Sequence, residues 1–312
     1  MSEIRAVVVD PGAKGRLSLK SVKSPEAGYS EAIVRVRAIS LNLGEIRRSL
    51  GADPGWRPGW DFAGTVEAPA ADGSGPAKGD RVVGFLPAGA WAEVLAAPTG
   101  SLAVIPDSVT FEQAATLPVA GMTALLALEK NGSLLGRPVL ITGASGGVGI
   151  FAIQLARQAG ATVVAWVRRA EREKYALEAG ADKVIVGDDS AAAGRAGPYH
   201  LILESIGGKS LTAALGMLRR GSMCVLYGTS ETPETTFDAR QFYTSGGSLY
   251  GFILFYEVTR VSVSETLGRL ARMVADGRLK SPIEVQASWT EVGPIADRYW
   301  NREIAGKAVL TI

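Results

Sequence analysis

The sequence predicts an α/β protein: a doubly wound parallel sheet joined to a mostly-β domain. Three observations carry this. Arg137 to Ala181 reads as apolar strand, glycine turn, helix and second apolar strand, about 30 residues in all, the size of a βαβ crossover. From about Val119 to Gly251 strands and helical patterns alternate, as they do when helices cover both faces of a parallel sheet. Residues 1 to about 118 instead show short strands with frequent Gly and Pro turns, the pattern of a small barrel or sandwich.

In chain order, Ile4 to Val9 is the first strand, and Glu31 to Ser40 alternates apolar and polar residues like a half-buried antiparallel strand. Phe62 to Ala68 and Arg81 to Phe85 follow, separated by the turn-rich stretch 69–79. Ala90 to Ala97 is another strand, and Pro98 and Pro106 bracket the next. Phe111 to Leu128 is helical in pattern, broken by Pro118, with Asp107 or Thr110 as its candidate cap. The alternating region takes Val139 to Thr142, Thr162 to Val167, Lys183 to Val186, Leu201 to Glu204, Met223 to Tyr227 and Ser248 to Leu254 as strands, with a helix over Ile150 to Ala159 that stops at Gly160. Arg260 to Gly277 reads as an amphipathic helix and Ala308 to Ile312 as the last strand. The expected domains are therefore 1–118 with 259–312, and 119–258.

The glycine turn carries the first functional reading. In Ala144-Ser145-Gly146-Gly147-Val148-Gly149 the spacing G-x-G-x-x-G is met with Ala144 at the first position. Glycine lets backbone N–H groups approach a ligand closely, and the helix that follows aims unpaired N–H groups and a partial positive charge at the same spot. Between a strand and a helix this is a dinucleotide-binding turn. At the end of the next strand an Asp or Glu ordinarily holds the ribose 2′-hydroxyl, about 20 residues on. Here Arg168, Arg169 and Arg172 stand instead. Guanidinium groups bind a 2′-phosphate through charge-assisted hydrogen bonds, so the expected cofactor is NADPH.

Composition excludes several classes. The 312 residues are 47% hydrophobic and 21% charged, with net charge +2 from 33 basic and 31 acidic residues. Such a balance gives no basic footprint for nucleic acid. No apolar stretch reaches the roughly 18 residues of a membrane span, and Met-Ser-Glu-Ile-Arg is no signal peptide, so a cytoplasmic protein is expected. One cysteine, Cys224, allows no disulfide within the chain. With a single histidine, His200, no zinc site is expected.

The chain also resembles the medium-chain dehydrogenase/reductase superfamily, and within it the zinc-free quinone oxidoreductase (ζ-crystallin-like) branch. The resemblance is carried by Asn42-Leu43-Gly44-Glu45, Pro58-Gly59-Trp60-Asp61-Phe62-Ala63-Gly64, Gly79-Asp80-Arg81-Val82, Ala114 to Pro118 running on into Gly121-Met122-Thr123-Ala124, the glycine turn, Gly180-Ala181-Asp182, and Gly306-Lys307-Ala308-Val309-Leu310. It implies a GroES-like catalytic domain beside a Rossmann domain. The family's metal-binding members carry Cys and His in the first domain, whereas residues 1–199 contain neither. Related enoyl reductases often carry a Tyr where Leu43 stands, the quinone reductase motif has Asp where Glu45 stands, and Val186-Gly187 replaces a Tyr that contacts the 2′-phosphate. Arg172 aligns with the family's usual Lys.

The resemblance implies that Asn42 and Thr123 lie near the nicotinamide, and that Tyr227-Gly228 and the backbone of Phe252 and Ile253 line the same end of the site. Trp56, Trp60, Trp91, Tyr243 and Phe255 are candidate substrate-wall residues, suited to a flat quinone or enone. No general acid is identified. The resulting expectation is an NADPH-dependent reductase of quinones or of an activated C=C bond. An enoyl-thioester reductase of lipid or polyketide metabolism is the alternative, and a non-catalytic NADPH- or RNA-binding protein is the alternative of another class. A homodimer formed through the edge strand Ser248 to Leu254 is also expected.

Overall fold

The computed structural model describes residues 2–312. These divide into two compact units, one made of residues 2–122 with Val258–Ile312 and the other of Thr123–Glu257.

The first unit opens with β1 (Glu3–Val9) and β2 (Leu17–Lys23), an antiparallel pair. Then come β3 (Glu31–Ser40), β4 (Asp61–Ala68), β5 (Arg81–Phe85), β6 (Val94–Pro98) and β7 (Leu102–Val104). Alternation along β3 does what the sequence predicts: Ala32, Val34 and Val36 point into the core while Arg35 and Arg37 face outward. Between β3 and β4 lies a helix, Leu43–Gly51, absent from the sequence reading; its Ile46 and Ser49 are buried and its Arg47 and Arg48 exposed. Thr110 caps Phe111–Ala115 by accepting from the Gln113 amide, and the chain passes Pro118 in a π-helical turn, Leu117–Gly121.

The second unit carries β8 (Pro138–Thr142), β9 (Thr162–Val167), β10 (Lys183–Val186), β11 (Tyr199–Glu204), β12 (Leu218–Leu226) and β13 (Ser248–Gly251). All are parallel, in the spatial order β10-β9-β8-β11-β12-β13. This is the doubly wound arrangement, with the order reversing between β8 and β11. The last strand differs from expectation: it ends at Gly251, and Leu254 already belongs to a short helix, Leu254–Glu257. β12 begins earlier than expected, since Leu218 pairs with Tyr199 before a bulge brings Met223 opposite Leu201.

The chain then returns to the first unit through an amphipathic helix, Val263–Ala275, and adds β14 (Ile283–Ser288) and β15 (Lys307–Thr311). Its sheet runs β14-β15-β3-β4-β5-β7, with β6 also paired to β3. Each unit has its own apolar core. Val34, Phe62, Trp91, Trp289 and Leu310 are among the residues of the first, and Leu140, Ile202, Leu211 and Cys224 of the second. Among the described residues no helix is long and apolar enough to cross a membrane.

Candidate functional site

In the second unit the glycine turn sits at the carboxyl end of β8, at the switch point of the sheet, where ligands bind in such folds. The helix Gly147–Gln158 starts there with Gly146 as its cap, so no side-chain oxygen occupies its first amides. Ser145, Gly146 and Val148 are half-buried, whereas Ala144 and Gly147 are buried. Gly149 is required by packing: a Cβ there would lie 2.7 Å from the Ala144 backbone. Gly143 has φ +57 and would drive a Cβ to 2.4 Å from Ser205 Oγ. An uncapped helix start fronted by glycines, with open N–H groups, fits a pyrophosphate.

One residue near this turn was not foreseen. Glu204, at the end of β11, is fully buried and accepts from Thr142 Oγ1 (3.1 Å), Ser210 Oγ (2.7 Å) and the amides of Ile206 and Gly207 (3.0 Å each). Burial raises its carboxyl above the usual carboxylate range, and these donors pull the other way. They pin the turn after β11 to the end of β8. Tyr227 is half-buried; its phenol pairs with Ser205 and its amide donates to the Glu204 carbonyl (2.9 Å). Burial pushes its pKa upward, so it stays a neutral hydroxyl.

The arginines stand at the end of β9. Arg168 and Arg169 are exposed and Arg172 is half-buried. Arg169 approaches Glu171 at 3.9 Å and Arg172 lies 5.8 Å from the Tyr175 ring centre, while Arg168 has no ion-pair partner among the described residues. Gly187, where the resemblance would have a Tyr, uses its carbonyl to accept from Trp166 Nε1 at 2.7 Å. Of the distal segment, Phe252 is 3% exposed and its amide donates to the Leu226 carbonyl, so that N–H is already used; Ile253 is 51% exposed. Thr123 is buried near the start of Met122–Leu128, Gly228 is half-buried, and Tyr243 and Phe255 lie on separate short helices, the first exposed and the second half-buried.

In the first unit Asn42 belongs to a buried charged network. Its Nδ2 donates to Glu45 Oε1 (3.0 Å) and Asp61 Oδ2 (2.8 Å), and its Oδ1 accepts from Lys307 Nζ. The orientation of the amide follows, because an ammonium only donates and carboxylates accept. Both N–H bonds of Asn42 are thus consumed, leaving only its oxygen to offer a ligand. Lys307 also donates to the Leu41 carbonyl (2.7 Å) and lies 3.5 Å from Asp61. Glu45 accepts from the amides of Asn42 (2.9 Å) and Trp60 (2.8 Å), and Asp61 accepts from the Val119 amide (3.0 Å). Glu45, Asp61 and Lys307 are at most 1% exposed. Desolvation raises both carboxyls and lowers the ammonium; Lys307 opposes the rise at each acid. The longer Glu45 is therefore accommodated with every oxygen bonded.

The tryptophans divide. Trp91 is 1% exposed within the core of its unit, which removes it from the candidate wall: the pattern Gly59-Trp60 and Ala90-Trp91 brings its backbone so close to Gly59 that the ring has only the interior to fill. Trp60 is 9% exposed and its ring lies where a Cβ on Gly44 would come within 2.8 Å. Trp56 is half-buried beneath Arg48, whose guanidinium stands 4.9 Å from its ring centre. Among the described residues no group of three or more His, Cys, Asp or Glu side chains is placed to hold a metal ion.

Two family models match: "Alcohol dehydrogenase GroES-like domain" over residues 28–107 and "Zinc-binding dehydrogenase" over residues 147–272. The chain belongs to the medium-chain dehydrogenase/reductase superfamily. Within the superfamily it is 28% identical to an alcohol dehydrogenase of Geobacillus stearothermophilus, over 99% of this chain and 100% of that one. It is 29% identical to a quinone oxidoreductase of Salmonella typhimurium, over 82% of each. The chain spans only 13% and 6% of two Streptomyces polyketide synthases that it also resembles, at 33% and 31% identity. A mycobacterial structure complexed with NADPH superposes with a TM-score of 0.89 at 25% identity, covering 99% of this chain and 100% of that one. The superfamily assignment makes the chain an oxidoreductase with a GroES-like and a Rossmann domain.

Proposed function

We propose that this oxidoreductase uses NADPH to reduce a quinone or the activated C=C bond of an enone. The first unit is read as the catalytic, GroES-like domain and the second as the dinucleotide domain. The observation that carries the reading is the uncapped glycine-fronted helix at the switch point together with Arg168, an exposed arginine with no ion-pair partner where an NAD site would have a carboxylate. The complex of a related mycobacterial protein with NADPH and the quinone oxidoreductase of Salmonella support it.

When bound, the cofactor would supply the hydride. The chain's part is to hold and shield it. The amides of Gly147, Val148 and Gly149 would bind the pyrophosphate and Arg168, with Arg169 and Arg172 beside it, the 2′-phosphate. Ser205, on the turn pinned by Glu204, and Tyr227, just after β12, would offer hydroxyls at the same edge of the sheet. Lys307 and Asp61 would hold the Asn42 amide in one orientation, and Asn42 and Thr123 are the residues proposed for the nicotinamide. Solvent is the proposed proton source.

The test is NADPH oxidation against a panel of quinones, enones and enoyl thioesters. Turnover of a quinone or enone supports the proposal, and turnover of none overturns it. Homodimerisation through β13, an edge strand that exposes Leu249 at 39%, belongs to the same reading. Light scattering on the wild type and Leu249→Lys checks it: a dimer that the substitution splits is expected, and a wild-type monomer refutes it.

A further inference from the structure

Arg57 stands in the tryptophan-rich segment Gly55–Trp60 of the first unit. The backbone on either side of it is held: Val9 N bonds to the Trp56 carbonyl at 2.8 Å and Gly89 N to that of Arg57 at 3.1 Å. From this rigid segment a half-buried guanidinium is presented with almost nothing to bind. Its one hydrogen bond among the described residues is to the Gly89 carbonyl at 3.5 Å, the outer limit of such a bond, and its Nε is enclosed without a partner. No carboxylate pairs with it among the described residues. Desolvation alone lowers its pKa from the usual arginine range.

Another arginine of the same unit shows how such a group is ordinarily satisfied. Arg81 donates to the carbonyls of Pro106, Asp107 and Val109 and lies over the Phe111 ring at 4.5 Å. Arg16 also leaves its Nε unpartnered, in a left-handed turn at φ 57. Partly burying a cation without a counter-ion is costly. A planar fork of five donors matches the geometry of a carboxylate or phosphate.

We propose that Arg57 recognises an oxyanion, carboxylate or phosphate, carried by the substrate. The inference rests on the reductase reading and narrows the substrate class to acidic quinones or enones. The half-buried Trp56, next in the chain, offers a flat apolar surface alongside.

The experiment compares matched substrate pairs in wild type, Arg57→Gln and Arg57→Lys: 4-oxo-4-phenylbut-2-enoate against its methyl ester, and crotonyl-CoA against the uncharged crotonyl N-acetylcysteamine thioester. The pair that responds identifies the oxyanion. For the charged member kcat/KM is expected to fall at least tenfold in Arg57→Gln and less in Arg57→Lys, with the neutral member unchanged within twofold. Equal loss for both members, or no loss for either, overturns the inference. If wild type turns over none of the four, the wider panel of quinones and enones decides the reductase reading, and calorimetric titration decides the role of Arg57. Saturable binding of the keto acid or of inorganic phosphate to wild type, lost in Arg57→Gln, supports it; binding that is absent or equal in both refutes it. Should Arg57→Gln not fold, Arg57→Met, which also removes the charge, is read in its place against the same criteria.

Discussion

Lys307→Met removes the ammonium from the buried network of the first unit while keeping much of the side chain's bulk. Three acceptors then lose their shared donor: the Leu41 carbonyl, Asn42 Oδ1 and Asp61 Oδ2. Asp61 and Glu45 are fully buried, so water cannot replace it. Breaking a buried ion pair from one side costs about 3–5 kcal/mol. At roughly 2–4 °C per kcal/mol for a unit of this size, the melting temperature should fall by about 6–20 °C. The variant should also lose less stability in acid. Without the ammonium both folded carboxyl pKa values rise further above their unfolded ones. A raised pKa contributes stability below the unfolded value, near 4, and that stability is lost as pH climbs through the folded one. Lys307→Met should therefore recover toward wild type as pH falls through the raised folded values toward the unfolded value of about 4. Thermal melts across pH, with Asp61→Asn and the double variant completing a cycle, provide the measurement. The double variant should fall short of additivity by about 0.5–3 kcal/mol. A melting temperature within two or three degrees of wild type, or strict additivity, would refute the claim that Lys307 compensates these acids.

Other outcomes are expected at the turn and beyond. Arg168→Ala should weaken NADPH more than NADH by roughly 1.5–3 kcal/mol, the range for a hydrogen bond to a charged group; equal losses in a fluorescence titration would remove Arg168 from the 2′-phosphate. Gly146→Ala, whose Cβ would meet only the Gly143 carbonyl at 3.3 Å, should leave the melting temperature near wild type yet weaken NADPH binding. Gly149→Ala, with backbone atoms at 2.7 Å, should instead destabilise by about 1–3 kcal/mol; calorimetry distinguishes the two, and identical behaviour would contradict the division of roles. Chelator-treated protein should keep its NADPH-dependent activity, and activity restored only by added zinc would overturn the zinc-free reading.

Local signals were the legible ones. The glycine turn, β3, β5 and β10 announce themselves through periodicity and punctuation within a few residues, and the structure places them there. The helix Leu43–Gly51 was obscured because few of its residues are apolar and its burial depends on packing set elsewhere. β14 alternates between half-buried and exposed positions, so its apolar signal is faint. Trp91 and Trp60 look alike as sequence, and only the three-dimensional approach of Gly59 separates a core ring from a nearly buried one. Lys307 could not be recognised: a lysine opening a strand reads as solvent-facing, and its partners Leu41 and Asn42 lie 266 and 265 residues away. Nor does composition alone reveal Glu204 as the anchor of a turn, since its donors come from β8 and from the segment that follows β11.

The wide sequence separation around Lys307 has a bearing on how the molecule is made. During synthesis, Asn42, Glu45 and Asp61 emerge first, and all of Thr123–Glu257 is produced before the lysine that neutralises them. The inserted unit contains every strand of its own sheet and can close while the chain is still growing. The surrounding unit cannot, because β15 must slot between β14 and β3 and carry the ammonium in with it. Its final strand thus works as a keystone, and a nascent chain stopped short of residue 307 would hold a finished nucleotide fold beside an open sheet with two acids left unmatched.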